Sequence, residues 1–294
     1  MQTRLAQVLQ GTPDGEEAAA ILGRCVHCGF CNATCPTYGL LGDELDGPRG
    51  RIYLMKRALE GATPTARTQQ HLDRCLTCRA CETTCPSGVQ YGRLLDVGRR
   101  VVDAQVPRPA GQRAVRALLR GTLTRPMLFA ALVGFGQALR PLLPAARIST
   151  LARDVVELVA ERVTDVAAHA RVAPAGAPAA AAVPTRVAFH PPCTLQHGLR
   201  IRGAVESVLA SLGATVVPVR DAHLCCGSAG AYSLLQPALA GELRDRKLAA
   251  LEAASPEVVL SANVGCIAHL AGAARVPVRH WIEWVDDRLA AAES

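Results

Sequence analysis

Two cysteine-rich runs constrain this chain more than any other feature of its sequence. Each has the form Cys-x-x-Cys-x-x-Cys-x-x-x-Cys-Pro, and they begin at Cys25 and Cys75. Three cysteines at steps of three place their thiolates around one cubane. The fourth, followed by proline, leaves in another direction, and in two-cluster ferredoxins of this pattern it binds the other cluster. The sequence therefore predicts two [4Fe–4S] clusters. The predicted ligands are Cys25, Cys28, Cys31 and Cys85 for the first cluster, and Cys75, Cys78, Cys81 and Cys35 for the second.

Zinc and disulfide bonds are the alternatives for these cysteines. Zinc binds well to Cys-x-x-Cys pairs, but it needs only two pairs and leaves the third cysteine and the proline of each run unexplained. Disulfides require an oxidising compartment, and residues 1–23 lack the basic and apolar regions of a secretion signal. We therefore interpret the 12 cysteines as reduced thiols for metal or redox chemistry.

Composition divides the chain into three parts. Residues 1–106 hold the first two cysteine runs and predicted helices at 51–60 and 65–74, which favours a helical ferredoxin-like domain with two clusters. Residues 107–185 lack cysteine and are predicted to form a helical connector that ends in an Ala/Pro-rich linker at 173–184. Residues 186–294 are predicted to form a small α/β cysteine-rich domain with a parallel sheet. The predicted fold class is therefore α+β.

Strand-like and helical patterns alternate in the third part, which is typical of a parallel sheet with helices on its faces. The predicted strands are 186–190, 214–219, 257–261 and 276–278, and the predicted helices are 204–212, 237–251, 267–274 and 281–292.

The last four cysteines follow the ends of predicted strands. Because the carboxyl ends of adjacent parallel strands form one crevice, we expect these cysteines to converge there. The candidate ligands of this C-terminal site are Cys193, Cys225, Cys226, Cys266 and His269. They suit a further iron–sulfur centre or zinc, and buried core cysteines are the alternative. Five of the eight histidines fall in this part of the chain: His190, His197, His223, His269 and His280.

Positive charge is concentrated between residues 99 and 147. The net charge is +7, and this stretch has nine arginines and one acidic residue, Asp103. Such a stretch suits an anionic lipid surface or an acidic partner, and the alternative is a solvated face. Nucleic acid is not expected as a partner, since no recognition motif is present and aromatic residues make up only 3 % of the chain. An apolar stripe at 128–142 and a region at 155–166 are predicted to be amphipathic helices. No apolar run reaches the roughly 18 residues of a membrane span.

Longer segments around the cysteine motifs resemble the iron–sulfur subunit of bacterial glycolate oxidase, also called glycolate dehydrogenase. In the first part these are CVHCGFCNATCPTYGLLGDELDGPRGRIYLMK (25–56) and HLDRCLTCRACETTCPSGVQYGRLLDVGR (71–99). In the third part they are FHPPCTLQHG (189–198), HLCCGSAGAYSLLQP (223–237) and SANVGCIAHL (261–270).

This resemblance implies an electron-transfer subunit without catalytic residues of its own. In the family, FAD-containing partner subunits oxidise glycolate to glyoxylate, and this subunit relays the electrons towards a membrane quinone. The resemblance implies a cytoplasmic protein attached peripherally to the inner face of the cytoplasmic membrane. It also implies that the third part is a cysteine-rich (CCG) domain, like those of heterodisulfide reductases that hold an unusual iron–sulfur cluster.

Two departures from the family pattern concern the third part. Full-length relatives carry two such cysteine-rich domains, and this chain has only the second. The last motif also ends in Cys266-x-x-His269 instead of Cys-x-x-Cys.

Three other functions remain open from the sequence. One is the equivalent subunit of a lactate or glycerol 3-phosphate dehydrogenase. Another is a self-sufficient enzyme that uses the C-terminal cysteines as heterodisulfide reductases do. The third is a structural metal protein. No Gly-x-Gly-x-x-Gly fingerprint follows a predicted strand, so any flavin is expected on a partner.

Overall fold

The computed structural model describes residues 1–123 and 185–293, together with Arg125 and Met127. The predicted amphipathic helices at 128–142 and 155–166 and the linker at 173–184 lie outside the described residues.

Helices build the part of the chain that holds the two cysteine runs. They are α1 (Pro13–Arg24), α2 (Pro36–Leu41), α3 (Pro48–Leu59), α4 (Ala66–Asp73), α5 (Ala80–Thr84), α6 (Tyr91–Gln105) and α7 (Ala110–Leu123). The helices α1, α2 and α3 each begin with proline, whose fixed φ suits the first turn and whose missing N–H has no helical partner there. The helices predicted at 51–60 and 65–74 correspond to α3 and α4.

The helices α1, α3 and α6 enclose one apolar core. The predicted apolar face of α3, formed by Ile52, Met55 and Leu59, is buried in it. On α6, Gly98 permits a close approach to α3, because a Cβ at this position would lie 2.5 Å from the Cγ and Sδ atoms of Met55. Since the cysteine runs follow α1 and α4 directly, packing around this core brings the two runs together.

A parallel four-stranded sheet organises the C-terminal part. Its strands are β1 (Arg186–His190), β2 (Thr215–Val216), β3 (Val258–Ser261) and β4 (Val278–His280), in the order β2-β1-β3-β4. The helices are α8 (Ala204–Ser211), α9 (Tyr232–Leu235), α10 (Pro237–Glu252), α11 (Val264–Ala271) and α12 (Trp281–Glu293). β1 pairs with β3 from Val187 opposite Val258 to His190 opposite Ser261. The predicted α+β fold class, with a parallel sheet, is confirmed.

Helices cover both faces of this sheet, so its two central strands are almost entirely buried. Side chains alternate along β1. Ala188 packs on the side of Leu251 of α10 and Leu270 of α11. Phe189 packs on the opposite side with Leu209 of α8 and Trp284 of α12.

The two edge strands differ from their predicted bounds. β2 is shorter than predicted, and Val217, just beyond its end, still donates a backbone hydrogen bond to the carbonyl of Val187. β4 begins after Pro277, two residues later than predicted. In contrast, α11 begins earlier than predicted because Asn263 caps it, its side chain accepting a hydrogen bond from Cys266 N at 3.1 Å. This cap places Cys266 in the first turn.

Candidate metal centres

The thiols of the two cysteine runs line two separate cavities. Cys25, Cys28, Cys31 and Cys85 line the first cavity. Cys35, Cys75, Cys78 and Cys81 line the second, and Cys81 also reaches the wall of the first. The last cysteine of each run therefore lies with the first three cysteines of the other run.

Left-handed backbone at equivalent positions curls both runs inward. The second and fourth residues after the first cysteine have positive φ in each run: 57° at His27, 88° at Gly29, 55° at Thr77 and 62° at Arg79. Only glycine adopts this region at no steric cost, so three of these four residues are strained. Such strain concentrates at binding sites, where the surrounding structure enforces it, and here it turns successive thiols towards one cavity.

The spacing of these thiols tests which metal group suits the cavities. Zinc–sulfur bonds are about 2.3 Å long, so two sulfurs on one zinc ion lie at most about 4.6 Å apart. Among the described side chains, two groups of three or more candidate ligands have all their donor atoms within 4.8 Å of one another. Neither group contains a cysteine of the two runs. The thiols thus stand too far apart for three of them to share a zinc ion.

Burial makes two of these thiols, those of Cys31 and Cys81, difficult to ionise in the absence of a positive centre. It raises the pKa of Cys31 to about 11, and the neighbouring Cys25 and Cys85 add to the rise. Burial likewise raises the pKa of Cys81, with Cys78 contributing. Metal ligation requires thiolates. An all-sulfur donor set that is partly buried, and whose thiolates would repel one another, therefore fits a bound iron–sulfur centre, whose irons supply the compensating charge.

A buried arginine lies beside the second cavity. Arg51 of α3 lines this cavity and has no solvent exposure. Its Nε donates a hydrogen bond to the backbone carbonyl of His71 at 2.7 Å, and its Nη1 lies 4.0 Å from Cys35 Sγ. Its Nη2 lies 3.4 Å from Asp46 Oδ1. A full positive charge is thus fixed near the second set of thiols.

Asp46 is the centre of a buried polar cluster with Arg51, Arg74 and His71. It accepts a hydrogen bond from Arg74 at 2.8 Å, and its Oδ1 also lies 3.1 Å from His71 Nδ1. Asp43, Asp46 and His71 form one of the two close groups of candidate metal ligands. Because two guanidinium groups already neutralise Asp46, this group is accounted for without a metal ion.

The C-terminal cysteines meet at the carboxyl ends of the strands. The donor atoms of Cys226, Cys266 and His190 all lie within 4.8 Å of one another, and all three residues are buried. Hydrogen bonds from Cys225 and Cys266 hold the pKa of Cys226 well below its usual value. A hydrogen bond with Cys193 is the main cause of the raised pKa of Cys225. The four thiols therefore influence one another's ionisation.

His190 and Lys247 surround these thiols with further polar groups. His190 is fully buried, and its ring faces the Cys226 thiol. Lys247 of α10 is also buried and donates to the backbone carbonyls of Asp221 and Ala222. A buried imidazole, a set of soft thiols and a nearby buried cation fit an anionic metal–thiolate centre.

His269 does not belong to this close group of ligands. Its Nε2 lies 3.2 Å from the backbone carbonyl of Ala240 on α10, so its ring faces the helix–helix contact. Sequence reasoning preferred His269 because of its spacing from Cys266 and did not select His190. The available signal was that His190 ends β1, three residues before Cys193, at the same edge of the sheet.

The C-terminal site lies directly against the second cavity. Leu76, between the second-run cysteines, is buried with Tyr232 and Leu243 in one apolar cluster, which Cys78 and Cys193 border. Tyr232 Oη donates a hydrogen bond to the backbone carbonyl of Arg74 at 3.2 Å. The two halves of the described chain thus meet at an apolar cluster that thiols of both halves border.

Most of the described arginines between residues 99 and 147 have partners within the protein. Arg99 Nη2 donates to the backbone carbonyls of Leu72 and Cys75 at 2.8 and 2.9 Å. The ion pairs are Arg100–Asp14, Arg108–Asp73, Arg108–Asp103 and Arg116–Asp73, at 2.7, 2.5, 2.6 and 3.1 Å. These side chains fasten α6 and α7 to α1 and α4, which reduces the charge available to an external surface. Arg140 and Arg147 lie outside the described residues.

None of the helices in the described part of the chain has the length and apolar character needed to cross a bilayer.

Comparison with known proteins assigns both halves of the chain to protein families. A 4Fe-4S dicluster domain matches residues 21–89, and a cysteine-rich domain matches residues 187–271. No solved structure matches the chain.

Full-length comparison finds related iron–sulfur subunits. The glycolate oxidase iron-sulfur subunit of Escherichia coli is 39 % identical, covering 98 % of this chain and 99 % of the relative. The probable glycolate oxidase iron-sulfur subunit of Bacillus subtilis is 32 % identical, covering 84 % of this chain and 57 % of the relative. The lactate utilization protein A of an Exiguobacterium species is 28 % identical, over 30 % of this chain and 37 % of the relative.

The E. coli alignment extends over 416 positions, whereas this chain has 294 residues, so that relative contains residues without a counterpart here. Its identity and coverage nevertheless extend across both cysteine-containing halves. The chain belongs to the family of glycolate oxidase iron–sulfur subunits.

Proposed function

We propose that this protein binds two [4Fe–4S] clusters and relays electrons from FAD-containing subunits that oxidise glycolate to glyoxylate. The grouping of its eight thiols into two cavities, each completed by the last cysteine of the other run, is the observation that carries this proposal. The proposed ligands are Cys25, Cys28, Cys31 and Cys85 for one cluster and Cys75, Cys78, Cys81 and Cys35 for the other. This crossed arrangement is that of two-cluster ferredoxins.

The test combines metal analysis with reduction by substrate. Protein purified without oxygen should contain about eight irons and eight sulfides in these two sites. After mixing with the FAD-containing subunits, glycolate should reduce the clusters, as monitored by electron paramagnetic resonance. Stoichiometric zinc without labile sulfide would exclude the clusters. Reduction by lactate or glycerol 3-phosphate but not by glycolate would assign the protein to one of the alternative dehydrogenases.

Electrons are proposed to continue from the clusters to a membrane quinone, with the protein attached peripherally to the inner face of the cytoplasmic membrane. The remaining charge of the 99–147 stretch is the candidate attachment surface, and each arginine near an anionic membrane contributes about 1 kcal/mol at low salt. Washing membranes with concentrated salt should release the protein. Release only by detergent, or absence from the membrane fraction, would exclude this mode of attachment.

As a second proposal, the C-terminal site binds a metal ion, because the donor atoms of the buried residues Cys226, Cys266 and His190 lie close together. This spacing suits a single ion such as zinc, and Cys193 and Cys225 extend the donor set. In the full-length protein, the variant Cys226→Ser/His190→Ala should lose this metal and keep the iron and sulfide of the two cubanes. His269→Ala is the control and should keep all the metal. Equal metal content in wild type and the double variant would show that these residues are core residues only.

The three-part division of the chain at residues 1–106, 107–185 and 186–294 is part of the same proposal. The two family matches, at 21–89 and 187–271, lie within the first and third parts.

A further inference from the structure

The two cavities differ in what surrounds them. The wall of the second cavity around Leu76 and Cys78 packs against the C-terminal half through Tyr232 and Leu243. The first cavity, in contrast, opens next to Cys28, which is exposed. If the clusters are present, the first is therefore the one that another protein can approach closely.

Apolar side chains surround the exposed thiol at the mouth of the first cavity. Val26 and Phe30 are 69 % and 63 % exposed, Pro86 is also exposed, and all three line the cavity. Single exposed apolar residues are common on proteins and need no explanation. Three that meet around one exposed thiol form a contiguous patch, and such patches mark interaction sites. We call Val26, Cys28, Phe30 and Pro86 the Cys28 patch.

The charges around the Cys28 patch favour a protein partner over an anionic lipid surface. Arg49 lies beside the patch, but its Nε is 2.6 Å from Glu44 Oε1. Its guanidinium also covers Gly29, where an added Cβ would lie 2.6 Å from Nη1. This cation is therefore engaged within the loop. Protein–protein interfaces typically have a core of apolar and aromatic side chains, surrounded by a polar rim. The Cys28 patch with the Arg49–Glu44 ion pair beside it has this composition.

We propose that the Cys28 patch is the docking surface for the FAD-containing subunit of the complex and the point where electrons enter this chain. This inference rests on the proposed function. The step is electron transfer alone: the reduced flavin of the partner is oxidised, the first cluster is reduced by one electron at a time, and no bond in this chain is formed or broken. Because electron transfer slows steeply with distance, a partner docked at the Cys28 patch reaches the first cluster through one exposed ligand.

The test compares matched substitutions to glutamine, which remove apolar contact without adding charge near the cluster. Val26→Gln/Phe30→Gln lies in the patch. Val8→Gln is the control, since Val8 is 81 % exposed and lies outside the cavity. Binding to the purified FAD-containing subunits should weaken by about tenfold or more in the double variant, the effect expected for a central apolar contact. Binding should be unchanged in the control, and glycolate-driven cluster reduction should slow only in the double variant.

Iron content, sulfide content and electron paramagnetic resonance spectra are measured on the same samples. They distinguish a failure of the proposed function from a failure of the proposed docking surface. Absence of clusters from the wild type would refute the proposed function itself. Intact clusters with undiminished partner binding in the double variant would refute the docking surface. Partner binding as in wild type, with loss of binding to phosphatidylethanolamine/phosphatidylglycerol vesicles, would assign the patch to the membrane instead.

If the double variant loses its clusters, the docking surface is tested instead by backbone amide hydrogen exchange of the wild-type protein. Residues 25–31 should become protected on addition of the FAD-containing subunits. Exchange at these residues that is unaffected by the partner would refute the proposal.

Discussion

At the scale of single residues, the buried Arg51 and its partner Asp46 connect stability to the second cavity. Both side chains are 1 % exposed, and Arg51 also holds the backbone of His71, at the end of α4. Arg49, two residues earlier, forms a similar pair with Glu44 in which the side chains are 37 % and 40 % exposed. Arg51 thus belongs to the buried interior of the protein, whereas Arg49 forms a partly exposed surface ion pair.

Arg51→Met should therefore destabilise the protein far more than Arg49→Met. Removing Arg51 leaves the buried Asp46 with one guanidinium group, that of Arg74, instead of two. Breaking a buried ion pair costs up to about 3–5 kcal/mol, whereas an exposed pair contributes about 0–1 kcal/mol. The comparison is made by denaturant unfolding under anaerobic conditions, with cluster content measured in parallel. Equal stability of the two variants would show that Arg74 alone compensates Asp46.

At the scale of elements, close contacts between backbone segments hold the cysteine runs in place. Gly50 in α3 is an example, because a Cβ there would lie 2.1 Å from the backbone carbonyl oxygen of Glu44. This contact presses α3 against the turn that carries Asp46. Gly241, in the middle of α10, has no atom within 4 Å of an added Cβ.

Alanine at these two glycines should have effects of opposite sign. Gly50→Ala forces the backbone apart and should destabilise the protein by about 1–3 kcal/mol, as other overpacking changes do. Gly241→Ala should stabilise it by about 0.5–1 kcal/mol through helix propensity. Unfolding midpoints of the two variants check both signs. A neutral Gly50→Ala would mean that the turn before α3 can shift without loss.

At the scale of the whole molecule, the crossed thiols join segments that are far apart in the chain. Cys35 lies in the cavity of the second run, and Cys85 lies in that of the first. Each cluster would therefore clip both runs together, and metal binding would contribute to folding.

Cys35→Ser should selectively damage the cluster of Cys75, Cys78 and Cys81, while Cys85→Ser should damage the cluster of the first run. The physical reason is that each substitution removes one ligand from the cavity in which that thiol lies. Electron paramagnetic resonance of the two reduced variants distinguishes the remaining clusters. Loss of the first-run cluster in Cys35→Ser would contradict the crossed arrangement.

Patterns that are local in the chain were predictable. The buried face of α3 and the alternation of strands and helices in the C-terminal part follow from hydrophobic periodicity and from the geometry of parallel sheets. These features depend on residues that are neighbours in sequence or on one sheet edge, so a single sequence contains the information.

Contacts between segments that are distant in the chain could not be predicted from the sequence and were seen only in the tertiary structure. The position of the His269 ring depends on which face of α11 packs against α10, and the burial of Arg51 depends on how α3 meets α4. From the sequence, the arginines at 99, 100, 108 and 116 were candidates for a surface that binds an anionic partner. The packing of α6 and α7 instead gives them partners on or next to α1 and α4. The sequence by itself determined the cysteine spacing and the fold class. Only tertiary packing decided which charged and ligating side chains are buried and what each of them faces, because these choices depend on chain segments tens of residues apart.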